Sequence, residues 1–299
     1  MSCSIHPVVT VGGWGRRFAN GLTMNSQYTL AKSFGNTAGS NEALTSANNA
    51  LALADFDYDE GYNTFDVRHT FNVSALYSLP YGRGRKWGND LSGVSQVLLG
   101  GWDVGTIVNA RSGLPIQVQV TRPDVLYRDT ATNLWFASPC ATCIAVINTP
   151  GGGASRNVRR PNLVPGVDPF VKDGGLQWLN PAAFAIPEPL TFGNMERGSI
   201  RGPGFLQADL LVSKKFGLSD QRAVEFRWEV YNLFNRNNFT NPPAQINATI
   251  GTGANQAQPD QPLTQAQAGS TFGILNSTLN RTVGLGTNRQ MQFALRILF

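Results

Sequence analysis

The sequence predicts an all-β chain: an antiparallel transmembrane β-barrel segment, a partial barrel of about six long meandering strands with long extracellular loops. Three observations lead there. Six segments alternate apolar and polar residues for at least the ~9–11 positions that a tilted strand needs to cross a bilayer core. The connections between them alternate between short and long. The composition, with 41% hydrophobic residues, 14% charged residues, 32 Gly and 17 Pro, favours strands and loops, and its charged share lies well below the roughly 25% of soluble domains.

The first alternating segment is "LTMNSQYTLAK", with Leu22, Met24, Tyr28 and Leu30 against Thr23, Asn25, Gln27 and Thr29. In "VRHTFNVSALYSL" the apolar set is Val67, Phe71, Val73, Ala75, Tyr77 and Leu79, opposed by Arg68, Thr70, Asn72, Ser74 and Ser78. "LLGGWDVGTIVNAR" sets Leu98, Trp102, Val104, Val108 and Ala110 against Asp103, Asn109 and Arg111. "LQADLLVSKKF" sets Leu206, Ala208, Leu210, Val212 and Phe216 against Gln207, Asp209, Ser213 and Lys215. "AVEFRWEVYNLF" sets Val224, Phe226, Trp228 and Val230 against Glu225, Arg227, Glu229 and Tyr231. The sixth segment, "RQMQFALRILF", has Met291, Phe293, Leu295, Ile297 and Phe299 on one face and Gln290, Gln292, Ala294 and Arg296 on the other. The polar faces carry charge in mid-strand, so Asp209, Glu225, Arg227, Glu229 and Arg296 are expected to face a lumen.

Alternation by itself also fits a soluble sheet with one wet face. The alternative is therefore a secreted or surface β-rich adhesion or binding protein. Strand length argues for the membrane, since globular strands are nearer ~5–6 residues. Loop asymmetry does too. The short connections are 80–93 and 217–220, while 34–65, 113–204 and 236–287 are long and hold most of the Pro, Asn and Gly. Long loops at every second connection are the pattern of outer-membrane barrels. Heat-modifiable gel migration and detergent dependence separate the two readings.

The net charge is +5 and the pI is near 9.3. Its densest cluster, "GRGRKWG" at 82–88, is a Gly-rich turn without the basic face and stacking aromatics of a nucleic-acid site. It also lacks the spacing and following helix of a phosphate loop. No apolar run reaches the ~18 residues of a spanning helix. The opening "MSCSIHPVVTVGGWGRRF" lacks the apolar core of a signal peptide, so the barrel reading expects a missing front end. Residues 1–20 stay unplaced, and 21–299 read as one barrel unit.

No catalytic, metal or cofactor site emerges. Cys140 and Cys143 in "CATC" read as a small loop disulfide or two free thiols, because the only histidines, His6 and His69, make a poor zinc partner set. Cys3 has no evident role. His69 alternates onto the lipid side and reads as an interface residue. "NARSG" at 109–113 lacks nucleophile-elbow spacing. Asp55, Asp57, Asp59 and Glu60 in "DFDYDEGYN" have alternate carboxylates that suit calcium, although a solvated acidic loop is the simpler reading.

The stretches "YTLAKS" (28–33), "FDVRHTFNVSALYSLPYGRGRKW" (65–87), "LLGGWDVGTIVNARSGLPIQV" (98–118), "WLNPAAFAIP" (178–187), "GSIRGPGFLQADLLVSKKF" (198–216), "EFRWEVYNLFNRNNF" (225–239) and "RQMQFALRILF" follow one another in a familiar order. Together they resemble the C-terminal barrel part of TonB-dependent outer-membrane receptors of the Oar-like, Acidobacteria type. The resemblance implies a barrel of about 22 strands with a plug, of which this chain would be a C-terminal fragment without plug or TonB box. It implies a non-enzymatic transporter in the outer membrane. Its partners would be outer-membrane lipid, the barrel-assembly machinery and the remainder of the receptor, through which it would reach TonB. It also implies that Phe299, with Ile297, Leu295 and Phe293, forms the terminal strand signal that the assembly machinery reads.

Two expectations follow for geometry. The C-terminus should be periplasmic, with strands over 21–33, 66–79, 97–112, 205–216, 221–235 and 289–299, and the open sheet should expose edges at 21–33 and 289–299. In the hairpin around "FGLSD", a three-residue turn at Gly217–Ser219 should set Asp209 opposite Arg227, because opposite charges across a ladder are favourable.

Overall fold

The structure is a computed structural model and describes residues 8–17, 21–36, 52, 55–148, 158–218, 222–279 and 288–299. Cys3, His6 and Ser219 lie outside the described residues. The main sheet has seven strands in chain order: β1 (Val8–Arg17), β2 (Leu22–Lys32), β3 (His69–Ser78), β4 (Trp102–Arg111), β5 (Phe205–Gly217), β6 (Ala223–Tyr231) and β7 (Gln290–Leu298). Every neighbouring pair is antiparallel. The sheet is open, with β1 and β7 as its edges.

Six of these strands are those that alternation predicts. The seventh, β1, corrects the expectation that 1–20 has no place and that the first edge is at 21–33. It pairs with β2 from Val8↔Lys32 to Arg17↔Thr23. Its sequence, VVTVGGWGRR, hides the strand because three glycines interrupt the two-residue period. Two strand ends also differ. Leu98 belongs to helix α1 (Gly93–Leu99) rather than to β4. β6 stops at Tyr231, because Asn232 adopts a positive φ of 53° that no strand continues through.

Register places the predicted faces as expected. Phe71, Ala110, Leu206, Val230 and Met291 fall on one side of the sheet. Asn72, Asn109, Gln207, Glu229 and Gln292 fall on the other. The apolar side is bare: Phe71 is 42% exposed, Phe293 67% and Leu295 75%. Among the described buried apolar side chains, only Ala208 and Val230 belong to this sheet. A sheet that keeps its apolar side chains on an uncovered outer face is built for lipid. The connections segregate by end as well. Arg17 and Leu22, Ser78 and Trp102, Gly217 and Ala223, and Leu298 mark the short-turn end, while Lys32 and His69, Arg111 and Phe205, and Tyr231 and Gln290 mark the other, where the long connections leave the sheet.

The core lies in those long connections. They are not structureless, as their composition suggests. Residues of 113–204 and 236–279 fold together into a cap around Ile116, Val120, Leu126, Leu179, Phe184 and Phe272. Phe184 meets Phe272 edge to face at 5.6 Å. Gln119–Thr121 is sandwiched between Val158–Arg159, antiparallel, and Gln245–Ile246, parallel, which joins the two connections in one small sheet. Val125–Asp129 pairs with both Trp135–Phe136 and Cys143–Ile147. Strands of two to five residues are too short to print a period, which is why the sequence reads as loop. Gly113 marks the passage from sheet to cap: a Cβ there would stand 1.8 Å from the Gly202 carbonyl oxygen, so only glycine allows the two chain segments to cross.

Buried arginines tie the connections together. Arg122, 4% exposed, donates to the carbonyls of Pro187 and Glu188 at 2.5 and 2.9 Å and to Asn148 Oδ1 at 3.0 Å. Arg197 donates to the carbonyls of Gly35 and Gly61. Burial pulls both guanidinium groups down to about 10. The Arg160 guanidinium lies 3.5 Å from the centre of the Tyr58 ring. In the acidic stretch 55–60, Asp55, Asp57 and Glu60 are exposed as expected of a solvated loop, and Asp59 alone of the four carboxylates is buried. Asp55 accepts from the Asp57 N–H, and Asp59, 3% exposed, stands 3.9 Å from Arg160 and accepts from the Ala52 N–H. Among the described residues, no three His, Cys, Asp or Glu side chains gather as a metal site. Cys140 and Cys143 are joined by a disulfide.

Candidate functional site: the polar face of the sheet

The five charged residues predicted to face a lumen share one face. Glu225 is level with Lys215 on β5 and Arg296 on β7, so charge alternates in sign across three strands. One step along, Arg227 is level with Ser213 and Ala294, and then Glu229 with Leu211 and Gln292. Arg227 Nη2 donates to Glu229 Oε1 at 2.6 Å, and the Tyr231 hydroxyl donates to Glu229 Oε2 at 3.0 Å. Arg227 is partly exposed, so this pair contributes at most about 1 kcal/mol. Its effect is to hold the three side chains in a line.

Asp209 does not pair with Arg227. Paired residue numbers on β5 and β6 sum to 440, as in Leu210↔Val230, and Gly217 meets Ala223. The connection is therefore 218–222, closed by Leu218 N–H to the Arg222 carbonyl at 2.8 Å. Two competing interactions decide against the expected register. It would take Lys215 away from Glu225. It would also remove Asp209 from its actual partner, the N–H of Asn232, to which it accepts at 2.8 Å just beyond the end of β6. Gln207 Nε2 donates to the same carboxylate at 2.9 Å. Asn232 then closes the following turn on both main-chain groups of Arg236.

The face also carries apolar side chains that the sequence walk left aside. Leu76, Ile107 and Leu211 each break the polar alternation of their strand. They meet in space: Leu76 is level with Gly105 and then Leu211, and Ile107 is level with Asp209. They floor a cavity of about 390 Å³, rimmed by Thr23, Asn25, Ser74, Arg227, Glu229 and Tyr231. Thr23 and Tyr231 lie on strands four places apart, roughly 19 Å across a flat sheet at ~4.8 Å per strand. That both line one cavity is consistent with a sheet that curls with its polar face inward. The signal for this floor was present in sequence as three breaks in period, but nothing local says that they coincide.

The remaining predicted residues lie elsewhere. His69 is exposed on the apolar face at the loop end, with its Nδ1 2.8 Å from the Tyr28 hydroxyl. Phe293, Leu295, Ile297 and Phe299 project from the apolar face of edge strand β7 and its last residue, with Phe299 94% exposed. Phe293 stacks on Trp228, its direct partner, at 6.1 Å.

An antiparallel meander curled around a polar face, bare and apolar outside, with short turns at one end and a folded cap at the other, is the wall of an outer-membrane β-barrel. A family model described as an outer membrane beta barrel domain matches residues 13–292. The chain belongs to that family, and its place is the outer membrane. Neither the curated proteins nor the solved structures compared with it gave a match. Among the described residues no helix is long and apolar enough to cross a membrane.

Proposed function

We propose that this chain forms part of the wall of a TonB-dependent receptor of the Oar-like type and serves transport without catalysing a reaction. The observation that carries the reading is the unclosed sheet. Seven strands in an up-and-down meander leave β1 and β7 running the same way. They cannot close on each other as antiparallel neighbours, and an unpaired edge in lipid costs several kcal/mol per group. An odd number of further strands closes the barrel, and wide receptors of about 22 strands supply such a number. The short-turn end is then periplasmic and the cap external. The terminal aromatic strand, ending at Phe299, is the segment that the assembly machinery engages.

The test is purification of the tagged chain from native outer membranes, followed by capture on the periplasmic domain of TonB. The expected outcome is a complex in which β1 and β7 are both paired to strands outside 8–298 and which TonB retains. A heat-modifiable barrel made of this chain alone, indifferent to TonB, overturns the reading. Removal of Phe299 is expected to lower the inserted fraction without changing synthesis.

A further inference from the structure

Between β3 and β4 the chain makes an excursion, 79–101, that the barrel wall does not need. It contains the "GRGRKWG" turn and α1. The helix is turned inside out for a protein in water. Its polar side chains are its half-buried ones: Gln96 Oε1 accepts from the Arg83 N–H of the preceding turn at 2.8 Å, while the Ser95 hydroxyl donates locally to the Ser92 carbonyl at 2.7 Å. Its apolar ones face out, with Val94 73%, Val97 52%, Leu98 61% and Leu99 51% exposed. In water this orientation leaves one of the chain's most exposed apolar patches. In lipid it is the correct way round.

The helix is also placed against the lipid side of the sheet. Trp102 and Lys214 are direct partners on the apolar face. The Trp102 indole N–H donates to the Leu98 carbonyl at 2.9 Å, and Lys214 Nζ donates to the Gly100 carbonyl while lying 5.1 Å from the Trp102 ring centre. The exposed side of α1 thus continues the apolar outer face past the short-turn end. The position is fixed rather than draped. A Cβ on Gly82, whose φ is +118°, would stand 2.8 Å from the Gly100 Cα, so the turn packs backbone against the end of the helix at a glycine. The neighbouring turn has the amphipathic pairs that sit at headgroup level. Trp87 is 55% and Tyr81 39% exposed, and Lys86 Nζ lies 5.1 Å from the Trp87 ring centre. Arg83, Arg85 and Lys86 are exposed beside them, and Asp90 is the one carboxylate within 81–99. Aromatic rings and cations next to an outward apolar helix match an interface of acyl chains capped by phosphates.

We propose that residues 81–99 form a membrane foot: α1 lies in the phospholipid leaflet at the short-turn end, and Arg83, Arg85 and Lys86 contact lipid phosphates. The foot fixes the depth and tilt of the barrel wall on that side. The proposal rests on the outer-membrane location and on a periplasmic short-turn end, and not on the receptor reading.

The test uses the chain in native outer-membrane vesicles. Single cysteines at Val94, Leu98, Phe71 and Asp173, in a Cys3→Ser background, carry an environment-sensitive fluorophore. The vesicles are doped with phospholipid spin-labelled near the glycerol backbone, and iodide serves as aqueous quencher. Labels at 94 and 98 are expected to emit to the blue of the one at 173, to resist iodide, and to be quenched by the spin-labelled lipid. The label at 71, on the lipid face of β3 near the loop end, reports by blue emission and resistance to iodide that the wall itself is inserted. Quenching at 94 and 98 by iodide to the extent seen at 173 overturns the proposal. So does protection from both quenchers, which means a protein cover. Replacing Arg83, Arg85 and Lys86 by Gln is expected to weaken lipid quenching at 94 and leave the blue emission and iodide resistance at 71 unchanged. No change at 94 removes the phosphate contact from the proposal.

Discussion

Asp66 and Arg201, 135 positions apart, form an ion pair at the junction of sheet and cap. The Asp66 side chain is fully buried, and its other oxygen accepts from the Ser33 N–H at 2.5 Å, just past the end of β2. Arg201 also donates to the carbonyls of Asp66 and Gly113 at 3.1 and 3.2 Å. This ion pair therefore ties two of the long connections together over the loop end of the wall. Both residues sit in stretches that carry the resemblance, "FDVRHTF" and "GSIRGPGF", and neither stretch shows alone that they meet.

Replacing Arg201 by Met leaves that carboxylate buried without its cation, which costs about 3–5 kcal/mol. Trp178, whose indole N–H donates to the Arg201 carbonyl at 3.1 Å, reports the loss in denaturant titrations of the cap. Adding Asp66→Asn is expected to cost less than the sum of the two single changes, since the partners are coupled. Strict additivity contradicts a direct pair.

The β5–β6 register is open to cross-linking. Cysteines at Ser213 and Arg227, direct partners, fall within the ~4.4–6.8 Å Cα separation that a disulfide spans. Cysteines at Asp209 and Arg227 are offset by about four residues, roughly 13 Å along the strand. The first pair is expected to oxidise and the second to stay reduced. The reverse result restores the register that charge pairing alone suggests.

Phe184 is completely buried in the cap. Phe184→Ala is expected to cost about 3–5 kcal/mol, and the cost falls on the cap only, because the sheet contributes almost nothing to that core. Protease added from the loop end should then cut within 113–204 while the strands stay protected by lipid. Loss of membrane protection in the same variant contradicts the separation of cap from wall.

Acid should loosen the hairpin at 125–147. Hydrogen bonds from Thr142 Oγ1 at 2.6 Å and Thr132 Oγ1 at 2.7 Å, with the Ala131 N–H at 3.0 Å, hold the Asp129 carboxyl below the ordinary 3.8. The unfolded segment therefore binds its proton first as pH falls. The stabilisation is full above 3.8 and is lost as pH drops through the lower folded value. Amide exchange in 143–147 is expected to rise over that range, and Asp129→Asn is expected to abolish the dependence. An unchanged profile in that variant removes Asp129 as the cause.

The sequence by itself determined the class of protein and the sidedness of its wall. Alternation is a local property, set by the two-residue period of a strand, so six strands, their lipid and lumen faces and the asymmetry of the connections were legible without coordinates. Three features belonged to the tertiary structure alone. β1 was hidden because glycines carry no side chain to mark a face. The register of Asp209 was hidden because a carboxylate can choose a main-chain N–H over a distant guanidinium, and only the turn at Asn232 brings that N–H within reach. The cap and the cavity floor of Leu76, Ile107 and Leu211 were hidden because each arises from residues far apart in the chain, and the helix because seven residues are too few to print a helical period. Non-local contacts leave no period, and which loop closes on which is decided by burial and geometry in three dimensions.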